Sequence, residues 1–395
     1  MLNAWPILAL LFLALGAAVT TGVLLLFNVA YLLAGVLVLG FLWSRASLAW
    51  LDLRVDVAGT RFQVGDQLVQ RVTLRNRSVL PKLWIAVVDE STLPGHAPGR
   101  VADLPPYATR SWTIRTALRE RGLYRLGPFA LRGADPFGCF VARRHLATAR
   151  EVLVLPATEP LPDLHLPSRD LPGGARTRAA SFSSSAQASS IRDYVPGDPV
   201  NRVHWRSTAR LGRLIVKEVE HEPTADVWLA LDLDAAVQAG SGLASTEEYA
   251  VTTAASIARR FLEAGRAVGL AMQGDRHLLL QPDRGERQLA RVLEELALVH
   301  ARGTLPFAEL LLSDAMRPDR NAALVAITPS LDPAWPEALQ LATQRGARAV
   351  AVLVEPSTFG ATASSLHVIS QLAAAAVPTY LVKRGEPLGE SLRTP

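Results

Sequence analysis

The first 44 residues contain no Asp, Glu, Lys or Arg. A water-soluble domain needs charged surface, so the start of this chain calls for an apolar surrounding. Within it, residues 2–19 and 23–43 are each about the length needed to cross a ~30 Å hydrocarbon core, and Thr20-Thr21-Gly22 separates them. The expectation is a tight transmembrane α-hairpin over residues 1–46. A cleaved signal peptide fits less well, because no basic region precedes the apolar run and the run outlasts an ordinary signal core. Arg45, Arg54 and Arg61 lie just beyond the second stretch. By the positive-inside rule they place the remainder of the chain in the cytoplasm, giving a multi-pass protein of the inner (plasma) membrane.

Charge is divided unevenly along the rest. Residues 45–150 hold 17 Lys+Arg against 8 Asp+Glu, residues 151–222 hold 9 and 9, and residues 223–395 hold 15 and 19. The basic part is the one beside the apolar start, and anionic lipid headgroups would attract it there. Membrane apposition thus explains the charge without nucleic acid. Trp205 among Arg202, Arg206, Arg210 and Arg213 is the stretch that best fits nucleic acid, and no wider basic patch extends it into the distal domain. Cys139 is the sole cysteine, so no intramolecular disulfide forms, in agreement with a reducing compartment. Flanked by Phe137 and Phe140, it reads as a small core residue.

Short β-prone runs at 54–57, 67–75, 84–88, 111–116, 123–126, 129–132, 140–144 and 151–155 alternate with turns such as Val64-Gly65-Asp66. That spacing predicts an antiparallel β-sandwich of immunoglobulin or fibronectin type over residues 47–157. Pro, Gly, Ala and Ser then dominate, with Gly173-Gly174 and Ser183-Ser184-Ser185, and residues 158–190 read as a linker. From 223 to 387 strands alternate with helices. Strands are expected at 227–234, 267–273, 322–328, 347–354 and 379–382, with helices at 246–263, 286–299, 336–344 and 363–376. Continuous apolar strands between helices imply a mainly parallel sheet in an α/β domain, whose ligands sit at the carboxyl ends of strands. Residues 388–395 read as a tail.

Between linker and α/β domain, residues 191–222 concentrate functional residue types. Val195-Pro196-Gly197-Asp198 is a turn. Asp198 with Pro199 forms a helix start, and the helix is expected to run from 199 to 211 and stop at Gly212. Arg202, Arg206 and Arg210 would line one face of it. The residues Arg192, Tyr194, Gly197, Asp198, Trp205, Ala209, Arg210 and the acids Glu218, Glu220 and Glu222 resemble the signature of the bacterial membrane protein family called domain of unknown function 58. Arg121-Gly122-Leu123-Tyr124, Gly127-Pro128 and Asp135-Pro136-Phe137-Gly138 are similar to the upstream elements of that family. The resemblance implies a MoxR-type AAA+ ATPase as partner. In the signature, Arg192, Asp198 and Arg210 are expected to clamp the segment to the α/β domain with Tyr194 and Trp205 as apolar anchor; the same residues could instead be a docking surface.

The α/β layout resembles a von Willebrand factor A domain, whose metal-ion-dependent adhesion site uses Asp-x-Ser-x-Ser, a distant Thr and a distant Asp. Asp232 matches the first Asp and Thr304 the Thr, but Asp234 and Ala236 stand at the serine positions, and Thr328-Pro329-Ser330 stands where the distant Asp is expected. Asp232, Asp234 and Thr304, with Asp332 as a further candidate, could give Mg²⁺ part of the oxygen shell it requires. The alternative is that these acids hold loop amides. Ser190, Asp198 and His204 contain the residue types of a hydrolase triad without a Gly-x-Ser-x-Gly elbow, and neither a Walker A loop nor a His-Glu-x-x-His motif occurs. The leading expectation is a non-enzymatic, membrane-anchored cytoplasmic adaptor, in which the hairpin holds the lipid and the α/β domain presents a partner surface. Metal-dependent protein binding and hydrolysis are the alternatives.

Overall fold

The computed structural model describes residues 4–96, 99–147, 149–164, 190–195, 203–218, 226–313, 316 and 322–393. The chain divides into two compact units. One comprises Met1–Glu159 with Ser241–Ser256 and Ala290–His300; the other comprises Pro160–Gly240 with Ile257–Leu289 and Ala301–Pro395.

The first unit begins with helix α1 (Trp5–Thr21), ended by Gly22 in the left-handed region, and helix α2 (Leu24–Leu48), which packs against α1. At 1.5 Å per residue, the 25 residues of α2 rise about 37 Å, and α2 is long and apolar enough to cross a membrane. Helix α1 has 17 residues, about 25 Å, which is shorter than the span expected from sequence. Large side chains face outward from both helices, among them Phe12, Leu13, Leu24, Leu25 and Leu39.

Ten strands come next: β1 (Leu51–Val57), β2 (Arg61–Gln63), β3 (Gln67–Asn76), β4 (Lys82–Asp89), β5 (Arg100–Leu104), β6 (Thr109–Ala117), β7 (Gly122–Leu126), β8 (Phe129–Ala134), β9 (Val141–Ala147) and β10 (Arg150–Leu155). They form antiparallel sheets in the orders β1-β3-β6 and β5-β4-β8-β9, and a third sheet β2-β10-β7 in which β2 runs parallel to β10. Leu53, Val72 and Leu74 of the first sheet share a core with Ile85, Leu104 and Leu131 of the second, the arrangement of a sandwich. Alternation along β3, with every second residue buried, produces that inward face.

Two buried cations tie this unit together. Lys82 is 1% exposed, and its ammonium donates at 2.5 Å to the Ala46 carbonyl at the end of α2, which also accepts the Ala49 amide at 3.2 Å. Burial lowers its pKa. Arg121 precedes β7, and its side chain is 1% exposed. Its guanidinium pairs with Glu247 and Glu248 in the first turn of helix α4 (Thr246–Glu263). It also donates at 2.9 Å each to the carbonyls of Leu296 and Val299, at the end of helix α5 (Glu286–Leu298). Burial raises the pKa of Glu248, and the Arg121 charge opposes that shift.

In the second unit, β11 (Ser190–Asp193) pairs antiparallel with β12 (Ile215–Glu218), and helix α3 (Trp205–Leu211) lies between them in sequence. The main sheet contains β13 (Val227–Asp232), β16 (Val268–Gln273), β17 (His277–Asp283), β18 (Ala323–Thr328), β19 (Arg348–Val354) and β20 (Thr379–Val382). The two-residue strands β14 (Gly240–Ser241) and β15 (Ala244–Ser245) precede α4. The order is β17-β16-β13-β18-β19-β20, parallel throughout except for β17. The sheet is therefore mixed, with an antiparallel edge strand that the sequence pattern does not disclose. Pro282 lies within β17, at an edge where a missing amide is tolerated. The β16 to β17 register slips between Val268 and Leu270, and a side chain on Gly269 would meet Pro282 at 3.0 Å.

Helices α6 (Phe307–Leu312), α7 (Ala334–Gln344) and α8 (Leu366–Ala374) cover the core around Trp228, Leu324 and Leu353. Trp335 of α7 is 1% exposed and meets the Phe307 ring edge-on at 6.1 Å. The expected tail instead forms helix α9 (Leu388–Ser391), with Leu388 and Leu392 buried. The expected linker also begins packed, since Leu161 and Leu164 are buried and the Leu161 carbonyl accepts from Arg260. Gly173, Gly174 and the serines at 183–185 lie outside the described residues.

Replacing Arg121 with Met would take the guanidinium from Glu248 and two helix-end carbonyls and leave Glu247, among the described residues, with His300 alone, at 3.3 Å. The expected loss is about 3–5 kcal/mol, measured by chemical unfolding of the detergent-solubilised full chain. A loss below about 1 kcal/mol would show that those acceptors find water or other donors.

Candidate functional site

Strand β13 reads Val-Trp-Leu-Ala-Leu-Asp and is buried along its whole length, so its final residue, Asp232, lies at the carboxyl edge of the sheet only 2% exposed. Parallel pairing of Leu231 with Ile327 brings the next residues, Asp232 and Thr328, side by side. The Thr328 hydroxyl donates to Asp232 Oδ2 at 2.5 Å, and Asp232 Oδ1 accepts the Asp234 amide at 3.1 Å. Asp234 in turn accepts the Ala236 amide at 3.0 Å and caps a short 3₁₀ turn over Ala235–Val237. These are successive side-chain-to-backbone turns of the Asx kind.

A second loop locks against the first. Gly303 donates to the Leu233 carbonyl at 3.0 Å and accepts from Ala235 at 2.9 Å. No other residue fits there, since a Cβ on Gly303 would collide with the Gln273 carbonyl oxygen. Thr304 is thereby placed beside the Asp232 loop, with its residue exposed. Thr328 Oγ1 also accepts the Ser330 amide at 2.8 Å, and Ser330 Oγ accepts the Asp332 amide at 3.2 Å. Asp332 is exposed, and its carboxylate takes the Ala334 amide at 2.9 Å, at the start of α7.

Asp232, Asp234 and Thr304 therefore stand on adjoining loops at one strand edge. Part of their donor set for a divalent ion is already engaged. Both Asp232 oxygens and one of Asp234 are engaged by protein donors, Ala236 has no side-chain oxygen to offer, and among the described residues no group of three or more His, Cys, Asp or Glu could hold a metal. Burial pushes the Asp232 carboxyl up to about 6, while the Thr328 and Asp234 hydrogen bonds hold it from rising further. Sequence alone gives Thr328 only the vacant place of an acid. Its role as donor to Asp232 becomes visible once β13 and β18 are known to be neighbours.

The signature segment departs further from expectation. Val203 bridges to Val216 and His204 donates its amide to Ile215, so residue 203 is extended and α3 starts only at Trp205. The cap is His204, whose Nδ1 accepts the Ser207 amide at 3.2 Å. Gly197, Asp198 and Arg202 lie outside the described residues. Arg192 sits in β11 opposite Val216, and Tyr194, half-buried, takes the Leu214 carbonyl through its amide. Trp205 is 63% exposed, so it is not the apolar anchor expected of it. Arg206 and Arg210 are exposed too, and α3 buries none of its residues. The helix is held to β12 by a side-chain hydroxyl instead: the Ile215 amide donates to Thr208 Oγ1 at 3.0 Å.

Of the hydrolase residue types, Asp198 lies outside the described residues. Ser190 pairs opposite Glu218 whereas His204 adjoins Ile215, three residues along β12 and about 10 Å away at strand rise, and the His204 ring is occupied by Ser207. Cys139 is buried, and burial together with the Asp135 carboxylate pushes its thiol up, away from the reactive thiolate.

In comparison with known proteins, the model of the family described as protein of unknown function DUF58 matches residues 190–357. The uncharacterized protein YeaD of Bacillus subtilis (strain 168) is 24% identical over 308 residues, covering 75% of this chain and 74% of that one. The uncharacterized protein Rv1480 of Mycobacterium tuberculosis (strain ATCC 25618 / H37Rv) is 28% identical over 142 residues, 34% of this chain and 44% of that one. Among solved structures, the CARDB domain of the PF1109 protein from Pyrococcus furiosus is 12% identical, covering 26% of this chain and 91% of that one with a TM-score of 0.21. The conserved hypothetical protein BatB from Bacteroides thetaiotaomicron is 12% identical, covering 43% of this chain and 95% of that one with a TM-score of 0.30. At these scores neither structure carries an inference about this chain.

Asp232 gives a pH dependence whose sign is set by its raised pKa. Protonated in both states below about 4, it carries no penalty there; as pH rises, the unfolded chain releases its proton first, so stability falls until the folded group also ionises near pH 6. Above that pH the penalty is complete, up to about 3 kcal/mol. Asp232→Asn is therefore expected to match the wild type near pH 4 and to exceed it in stability at pH 7.5, read from melting curves across that range. A constant difference at all pH values would contradict it. Calorimetric titration with Mg²⁺ is expected to show no Asp232-dependent heat, and a heat that Asp232→Ala abolishes would overturn the donor-set argument.

Proposed function

We propose that this chain, whose residues 190–357 match the DUF58 family, is a membrane-anchored cytoplasmic adaptor that acts by binding a partner protein rather than by catalysis. Helix α2 crosses the plasma membrane, and α1 lies inserted beside it as the other arm of a hairpin. The Arg45, Arg54 and Arg61 excess supports a cytoplasmic location for both units. The second unit serves as a von Willebrand factor A-like binding domain, a reading supported by its largely parallel sheet and by the loops gathered at the carboxyl strand edge.

The observation that carries the proposal is the surface of α3. A tryptophan 63% exposed, flanked by the exposed residues Arg206, Arg210 and Leu211, has the composition of an energetic hot spot. Trp and Arg are enriched at such sites because one offers a large rigid face and the other a planar fork of donors. The segment is also rigidly presented: His204 caps the helix, and Thr208 and the Val203 bridge fasten it to β12. The positive face suits a partner with acidic side chains. By family resemblance that partner is a MoxR-type AAA+ ATPase, with assembly or maturation of envelope complexes as the process served.

Affinity purification of the full chain from membranes is expected to recover an ATPase of that class. Trp205→Ala is expected to weaken the complex by at least about thirtyfold, the equivalent of a 2 kcal/mol hot spot. Arg206→Glu with Arg210→Glu should abolish it while leaving the melting temperature unchanged, since α3 buries none of its side chains. Undiminished recovery with both variants would remove α3 from the interface, and absence of any ATPase from an otherwise intact preparation would remove the adaptor reading.

A further inference from the structure

Where α2 ends against the sandwich, the first unit contains a groove of about 570 Å³, lined by Phe41, Arg45 and Leu48 of α2 and by Phe140, Arg143 and Arg144 at and before β9. Three guanidinium groups border it and, among the described residues, no carboxylate does. Arg45 lies over the Phe41 ring, 5.3 Å from its centroid. Arg144 donates to the Leu48 carbonyl at 3.1 Å, which leaves its other N–H groups available to a ligand. Arg143 pairs with Glu90 outside the lining, and both side chains are nearly half exposed, so the pair is easily exchanged for another anion. The buried acid Asp135 is committed to the Phe137 and Phe140 amides and packs beneath Gly40.

The position of the groove decides which anion it meets. Twenty residues of α2 from Leu24 rise about 30 Å, the thickness of the hydrocarbon core, so Arg45 stands at the depth of the headgroups. Aromatic side chains border the same end. Trp50, just past the end of α2, is 62% exposed, and Phe137 in the turn under Gly40 is 64% exposed, as expected of residues at a membrane interface. The apolar walls complete the fit: Phe41 of α2 and Phe140 meet edge-on at 5.7 Å beside the arginines.

We propose that this groove binds the headgroup of an anionic phospholipid, with Arg45, Arg143 and Arg144 around the phosphodiester and the Phe41–Phe140 pair along the first carbons of an acyl chain. The site rests on the reading that α2 crosses the membrane. It explains why the basic half of the chain is the half beside α2, and it would fix the orientation of the sandwich on the bilayer by a specific lipid contact.

Native mass spectrometry of the full chain in a neutral detergent, titrated with phosphatidylglycerol, phosphatidylcholine or the water-soluble glycerophosphoglycerol headgroup, tests it. Phosphatidylglycerol is expected to bind about tenfold or more tightly than phosphatidylcholine. Arg45→Gln with Arg143→Gln should erase that preference, and Arg45→Lys with Arg143→Lys should keep most of it. Equal binding of the two lipids by the wild type, or an undiminished preference in the glutamine variant, would overturn the proposal. Headgroup binding as tight as that of the whole lipid would make this a site for free phosphate esters and overturn the lipid assignment. Alkaline extraction of native membranes separates this from the anchor itself: release of the chain would sink the membrane-spanning reading, whereas retention without lipid preference would sink only the groove.

Discussion

The buried guanidinium of Arg121 is the contact on which the order of the first unit depends. A helix leaves its last carbonyls without donors, and α5 ends with those of Leu296 and Val299 aimed at one side chain. The first turn of α4 supplies Glu247 and Glu248 to the same group. Only arginine offers five donors in a planar fork, so a lysine could satisfy one or two of these acceptors but not the set. The residues around it answer that demand. Gly122 adopts a φ of +143° that other residues rarely reach, and the Tyr124 ring lies 3.5 Å from where its Cβ would be. The Tyr124 hydroxyl turns back to the carbonyls of Glu120 and Arg121. Arg-Gly-x-Tyr is therefore a device for holding one cation at two helix ends.

Lys82 repeats the solution at α2. Its ammonium meets the Ala46 carbonyl and lies 5.8 Å from the Trp50 ring centroid, so a single buried charge joins the apolar helix to β4. The close approach that this requires is recorded in glycines. A Cβ on Gly133 would come within 2.5 Å of Ser47 Oγ, and one on Gly40 within 3.2 Å of Asp135. Asp-Pro-Phe-Gly reads accordingly as a turn whose aspartate binds its own amides and whose shape is set against α2. The signature elements upstream of residue 190 thus have structural explanations, while the exposed face of α3 has none.

What the sequence makes legible is whatever depends on near neighbours. Helix α4 begins and ends where its periodicity indicates, at Thr246 and Glu263, and the buried strands β13, β16, β18, β19 and β20 fall within a residue or two of their apolar runs. Contacts across 126 to 178 residues, such as those of Arg121, leave no local trace. The start of α3 differs from expectation for a related reason. Asp198-Pro199 is a good local helix start, but β12 claims Val203 and the His204 amide through backbone hydrogen bonds, and tertiary pairing outweighs local preference. Edge strand β17 escapes a reading of the sequence because Pro282 argues against a strand unless the edge position is already known.

The candidate site shows the same division. The acids at the end of β13 are identifiable from sequence, but their chemistry depends on which strand lies alongside. With a hydroxyl and an amide as its partners among the described residues, Asp232 differs from Arg121 and Lys82, whose charges meet carboxylates or helix-end carbonyls. Ionised, Asp232 opposes folding; what it contributes is the turn that carries Asp234 and Gly303 into register. The carboxyl edge is then a rigid ledge built from hydrogen-bonded loops, and a rigid ledge is suited to presenting a protein surface. The Thr328 hydroxyl donates to Asp232 and accepts the Ser330 amide, and Ser330 Oγ accepts the Asp332 amide, so each loop at this edge is tied to the next.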